Sequence, residues 1–133
     1  MLEKIKLTGR VSIQLIGPDG DVKDTREVNN LVVSGGKSFI AARISSNSSS
    51  VMTHIGVGTL ATSTTSLDTA LAGELVRTAL TVSGGTVTAN AIDYNVSMGP
   101  GVGTGSLVEA GLFNAASSGT MLARTTFAAI TKS

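Results

Sequence analysis

Cysteine is absent from the 133-residue chain. That excludes disulfides, thiolate nucleophiles and thiolate metal sites together, and it fits assembly in a reducing cytoplasm. Aromatic residues are scarce: no Trp, one Tyr and three Phe. Single-strand nucleic-acid binders stack bases on aromatic faces, and sugar-binding tips use exposed rings, so both classes lack their usual platform here. Charge is also low. Charged residues make up 14% of the chain, against roughly 25% in an ordinary soluble domain. Ten Lys/Arg against nine Asp/Glu leave a net charge of +1, so no strong field favours nucleic acid, an anionic membrane or an acidic partner. No apolar run approaches the length of about 18 residues that a membrane helix needs. Leu7-Thr8-Gly9-Arg10 interrupts any apolar stretch behind Met1-Leu2-Glu3-Lys4, so no secretory leader is expected.

What the chain does contain is Ser and Thr, about a quarter of its residues, and 16 Gly. Mean hydropathy is +0.31. Low charge with high apolarity and no membrane span implies that part of the surface is covered by other subunits, so a homo-oligomer or larger assembly is expected. The length suits one domain, 1–133.

Local patterning is that of strands. Between Lys4 and Ile16 the apolar residues Ile5, Leu7, Val11, Ile13 and Leu15 recur with period two, and Gly9 marks a bend. Gly17-Pro18-Asp19-Gly20 is a turn, returning through Val22–Val28, a charged stretch suited to a sheet edge. Asn29-Asn30 reads as a break. Ser34 is placed to cap a helix from Gly35 to about Ile44, with Phe39, Ile40 and Ile44 on one side. Ser45–Ser50 is a polar loop, and Val51–Gly58 a buried strand. Asp68–Leu75 allows a short helical turn. Glu74–Val82 pairs in expectation with Thr86–Met98 across Gly84-Gly85. A last hairpin joins Ser106–Asn114 to Thr120–Thr131. Six to eight short strands and one helix predict an all-β, mainly antiparallel, jelly-roll-like β-sandwich.

Catalytic and cofactor chemistry finds little to build on. His54 is the sole histidine and sits in an apolar strand, without a nucleophile-elbow context or further ligands in the sequence. Asp19, Asp21 and Asp24 resemble a calcium loop in spacing but lack the closing bidentate Glu, so they read as a solvated turn. Gly99–Gly105 and Gly56-Val57-Gly58 do not lead into Gly-Lys-Ser/Thr, so neither is a phosphate loop. No defensible carboxylate pair for glycoside hydrolysis is visible. The chain is expected to be no enzyme and to hold no cofactor or metal.

Four stretches carry a resemblance: Met52–Thr59 (MTHIGVGT), Asp68–Arg77 (DTALAGELVR), Leu107–Asn114 (LVEAGLFN) and Gly119–Phe127 (GTMLARTTF). In this order they resemble small structural proteins of tailed bacteriophages, capsid decoration (cement) proteins of short-tailed phages among them. A related Glu-x-Gly-Leu-Phe pattern marks tail-collar and tail-fibre proteins, where a shaft or receptor domain would be expected after it; none is expected here. The resemblance implies a subunit on the outer surface of a shell with the HK97 capsid fold, assembled in the bacterial cytoplasm. Its implied partners are the major capsid protein and itself, as a homodimer or else a trimer; a tail or fibre-attachment subunit is the alternative it leaves. On the residues themselves, Glu109 and Arg124 fall diagonally across the last hairpin, able to pin its register, with Val108, Ala110 and Leu112 on the other face. Leu2, Ile5 and Leu7 of the N-terminal strand are the candidate contacts to capsid.

Overall fold

A computed structural model of the protein describes residues 6–46 and 49–133. The first strand, β1 (Gly9–Ile16), alternates half-buried and exposed residues along its whole length. It turns through Gly17–Gly20, where Gly20 adopts φ +87° and donates its N–H to the Gly17 carbonyl. The Asp19 carboxylate fixes the same turn by accepting from the Asp21 N–H and from Lys23. Strand β2 (Val22–Val32) returns antiparallel, from Ile16↔Val22 to Gly9↔Asn30. The expected break at Asn29-Asn30 does not occur. Both asparagines stay in the strand, and opposite Asn30 the ladder is accommodated by Gly9, which lacks the Cβ that would overlap the Asn30 amide.

Six strands share one sheet in the order β1-β2-β8-β7-β3-β4. Its centre is the hairpin of β7 (Gly105–Phe113) and β8 (Met121–Lys132), flanked by β3 (His54–Gly58) and then β4 (Glu74–Ala79), all antiparallel. The charged pattern of β2 predicts an edge strand, yet it lies between β1 and β8. It pairs with β8 only at Leu31↔Arg124 and Val32↔Ala123. Before that point the β1–β2 ribbon lies over the sheet, where Ile13, Leu15 and Val28 pack on Val57, Leu107, Ala110, Phe127 and Ile130. The chain is thus mostly antiparallel β with a single helix among its described residues, a large sheet and a small one, in keeping with an all-β sandwich. The ladder shifts between Leu107 and Glu109. This puts Leu107 beside Ala110 in the core, a place that unbroken alternation gives to Val108. Across the same shift the Ala128 and Ala129 carbonyls accept from Arg26 of β2.

The opposite face carries a second cluster, Val33, Leu71, Phe113 and Met121. Helix α1 (Ser34–Ser45) docks near it. Its N-cap is Val33, without a side-chain cap, so Ser34 is already helical rather than the expected cap. The Ser34 N–H instead donates to the Ser66 carbonyl, and Arg43 in the last turn donates to Ser49. The helix is not amphipathic. Ile44, expected inside, is 75% exposed, and the only buried residue is Gly36. Gly36 lies against the Leu122 carbonyl of β8 so closely that a Cβ has no room. The glycine pair that weakens helix propensity therefore serves contact: backbone meets backbone.

Glu74–Val82 does not pair with Thr86–Met98 as expected. Strand β4 takes β3 as its neighbour, and β5 (Thr86–Thr88) and β6 (Ala91–Asp93) form a separate two-stranded sheet. Gly84 and Gly85, both at positive φ, make the expected turn, but Gly84 donates to Met52 and the chain then doubles back at Ala89, itself at φ 53°. The stretch Asp68–Leu75 is loop and strand start, not a helical turn.

The two helix glycines make a paired prediction. Gly36→Ala improves helix propensity by about 1 kcal/mol but must push the helix off β8, at a cost of about 1–3 kcal/mol, so it lowers the melting temperature. Gly35 has open space around it, so Gly35→Ala raises it. Thermal unfolding followed by circular dichroism checks both signs.

Candidate functional site

The site with the densest polar chemistry lies on the second face of the sheet. Gly56, Gly58 and Gly111 leave this face without Cβ atoms, and a loop fills the trough they form. Leu71 packs where side chains at Gly56 and Gly111 would stand, and the Gly73 carbonyl lies where one at Gly58 would stand. The loop, Thr59–Gly73, joins β3 to β4 with its ends bonded (Thr59 N–H to Gly73 O), as in an Ω-loop.

Glu109 of β7 and Arg124 of β8 hold this loop. Glu109 stands opposite Thr126 and Arg124 opposite Gly111, which sets the two diagonally, as the hairpin register predicts. Arg124 donates through Nε and Nη2 to Glu109 Oε2 at 3.0 and 2.8 Å. The same carboxylate accepts the Ala72 N–H at 2.9 Å and, on Oε1, the Gly73 N–H at 2.6 Å. The remaining arginine nitrogen reaches Asp68 Oδ2 at 3.1 Å. Asp68 in turn accepts from the Thr65 N–H and hydroxyl. Glu109 is 0% exposed and Arg124 2%. Neither side chain is open to a partner or substrate. Every side-chain nitrogen and oxygen of the buried pair has a partner, either across the hairpin or in the loop.

A second arginine works the other end of the face. Arg77 of β4 lies over the Phe113 ring, 3.5 Å from its centroid. Its guanidinium donates to the Ala115 and Ser118 carbonyls and pairs with Glu74. It thereby fixes the β7–β8 loop, which Asn114 also closes by accepting the Thr120 N–H. Reading the sequence does not single out Arg77 or Asp68 as functional. The available signal is an arginine next to Leu75-Val76 in the stretch Glu74–Ala79 and a lone aspartate in a Thr/Ser-rich connection.

The other candidates raised by the sequence divide. His54 is half-buried, its Nδ1 2.8 Å from the Thr53 hydroxyl. Asp19 and Asp24 are held by Lys23 and Arg26. Among the described residues no three His, Asp or Glu side chains gather closely enough to hold a metal. An open recess of about 360 Å³ is lined by Arg10, Glu27, Val28 and Asn29, around a solvent-exposed Arg10–Glu27 pair. Leu2 and Ile5 lie outside the described residues, and Leu7 is 41% exposed.

Exposed large apolar side chains are spread over the described residues, Leu67 and Ile44 being the most exposed, and two of them face each other on β5–β6. All six strand residues are exposed, with Val87 opposite Ile92 at 70% and 49% exposure. The two strands pair with each other and with no other strand among the described residues. No protein-family model, curated protein or solved structure matches the chain.

Breaking a buried ion pair from one side leaves an uncompensated charge, at a cost of about 3–5 kcal/mol. Glu109→Ala should therefore lower the melting temperature of the isolated protein by roughly 10 °C or more, whereas Arg10→Ala, at an exposed pair, leaves it nearly unchanged. The latch is also acid-sensitive. The Thr65 N–H chiefly, with its hydroxyl and Arg124, holds the Asp68 carboxyl below the usual carboxylate range, against burial, which raises it. The folded chain thus binds that proton less tightly than the unfolded chain. The stabilisation is complete above about pH 4 and is lost as the pH falls through the lowered folded value. Between about pH 5 and pH 3 the wild type should lose more stability than Asp68→Asn, measured by urea unfolding.

Proposed function

We propose that the protein is a structural subunit of a bacteriophage virion, a decoration protein that binds the outer surface of the capsid and stabilises it by bridging shell subunits. The observation that carries this reading is the β5–β6 arm. An isolated two-stranded hairpin is marginal in water, and this one adds an exposed Val87–Ile92 pair that nothing among the described residues covers. Such an element suits docking onto another protein surface. The resemblance to phage structural proteins supplies the kind of surface. Its four stretches correspond here to β3, the end of the Ω-loop with the first part of β4, β7, and most of β8; these strands are neighbours in the sheet, and the last three stretches supply the latch.

The mechanism is linkage. A ligand that binds the closed shell and not its opened or dissociated form lowers the free energy of the closed state. Contacts between copies that a lattice already holds together are effectively intramolecular, so weak individual contacts add up to a stable coat. The decisive experiment is cryo-electron microscopy of the particle. Density on the outer lattice, bridging shell subunits, is expected. Density confined to the portal vertex or tail overturns the capsid reading in favour of a tail or fibre-attachment subunit. In co-sedimentation with shells, Val87→Asp/Ile92→Asp should abolish binding while the melting temperature stays within about 2 °C of wild type, as for exposed positions.

A further inference from the structure

We infer that two copies of this chain associate edge to edge through β1, pairing Gly9–Ile16 antiparallel about a two-fold axis at Ile13. Strand β1 ends the large sheet, and no backbone group of another described residue bonds to its outer edge. Natural sheets blunt such edges with prolines, lysines, bulges or a covering segment. This strand has eight residues, GRVSIQLI, with no proline or lysine and a single charge at Arg10, and its only irregularity falls at its end, between Leu15 and Ile16. Its inward residues Val11, Ile13 and Leu15 remain only half-buried.

The occupant follows from the pattern. The order apolar-polar-apolar-polar-apolar from Val11 to Leu15 reads the same in both directions about Ile13. An antiparallel neighbour in that register sets Ile13 against Ile13, Val11 against Leu15 of the second copy and Ser12 against its Gln14. Opposed residues share a face, so the apolar positions join into one continuous layer beside the core and the polar ones stay outside. No like charges meet, and Arg10 faces an Ile16. Beyond the strand ends, Lys6 of each copy approaches the Asp19–Asp21 turn of the other, so the ends are complementary in charge. The association is independent of the capsid reading and is tested without a capsid.

Sedimentation equilibrium of the full chain, wild type and two variants, decides it. Ser12 and Gln14 are exposed, so substitutions there leave the fold intact, which circular dichroism verifies. The wild type is expected as a dimer. Ser12→Lys/Gln14→Lys sets lysine against lysine twice across the axis and should weaken the dimer at least about tenfold. Ser12→Lys/Gln14→Glu sets opposite charges at the same two places and should restore it. A monomeric or trimeric wild type overturns the inference, and so does a dimer that responds equally to both double variants.

Discussion

Four N–H groups converge on one buried carboxylate, Glu109: two from Arg124 and two from the backbone of Ala72 and Gly73. A charge in the interior is tolerated only when its hydrogen-bonding capacity is filled, and here filling it ties three parts of the chain together. Arg124 binds β8 to β7 across the hairpin. The two backbone donors bring the end of the Ω-loop onto the sheet, and with it Leu71 into the second core cluster. Asp68 completes the arginine and holds the loop's middle, whose Ser66 carbonyl receives the first N–H of the helix. With two carboxylates to one guanidinium, the cluster carries a formal excess of one negative charge, offset by backbone N–H dipoles from Thr65, Ala72 and Gly73. The loop itself has no secondary structure and one buried side chain, Leu71, so hydrophobic burial alone would not hold it in place.

The scarcity of large side chains shapes the rest. With few aromatics, the protein fills space by bringing backbones close rather than by interdigitating rings. Gly36 lets the helix touch the β8 backbone, and the Gly56, Gly58 and Gly111 trough lets the Ω-loop lie on the sheet. Phe127 in the first cluster and Phe113 in the second are the exceptions. Phe113 matters most on the second face. It is fully buried at the centre of the second face, and Arg77 covers its ring before reaching the β7–β8 loop. Two arginines therefore organise one face, each satisfying carbonyls or carboxylates that loops would otherwise leave unpaired.

How much of this is legible in the sequence depends on the range of the interaction. The β7–β8 hairpin and the Glu109–Arg124 diagonal are readable because the alternation and a short turn set the register locally. The β1–β2 hairpin is readable for the same reason, except where Asn30 relies on Gly9 across the ladder. The helix is legible in its span but not in its cap or buried face, since the roles of Ser34 and Gly36 follow from where Ser66 and Leu122 stand in space. The second hairpin misleads because Gly84-Gly85 really is a turn; what the local signal cannot carry is that β3, well before β4 in the chain, competes for it and wins by pairing with it over five positions. The Ω-loop latch is hidden beyond its two hairpin members, for Asp68 and the Ala72–Gly73 amides lie far from Glu109 in sequence.

The same division separates what is closed in this fold from what is open. The second face is sealed: its charges are paired, its glycines are filled, and its loops are tied. The perimeter is open: among the described residues the sheet ends at β1 and at β4, and β5–β6 pairs with no other strand and exposes Val87 and Ile92. An edge offers directional main-chain hydrogen bonds and so selects a strand of matching register, whereas an apolar pair on a short arm offers contact area with little directionality. On the proposed reading, in which the subunit pairs with its own copy and docks on a larger surface, the edge suits the first task and the arm the second. The latch lets both be carried on a small chain: because the sheet's covered face does not depend on a partner, the perimeter can remain incomplete without the fold coming apart.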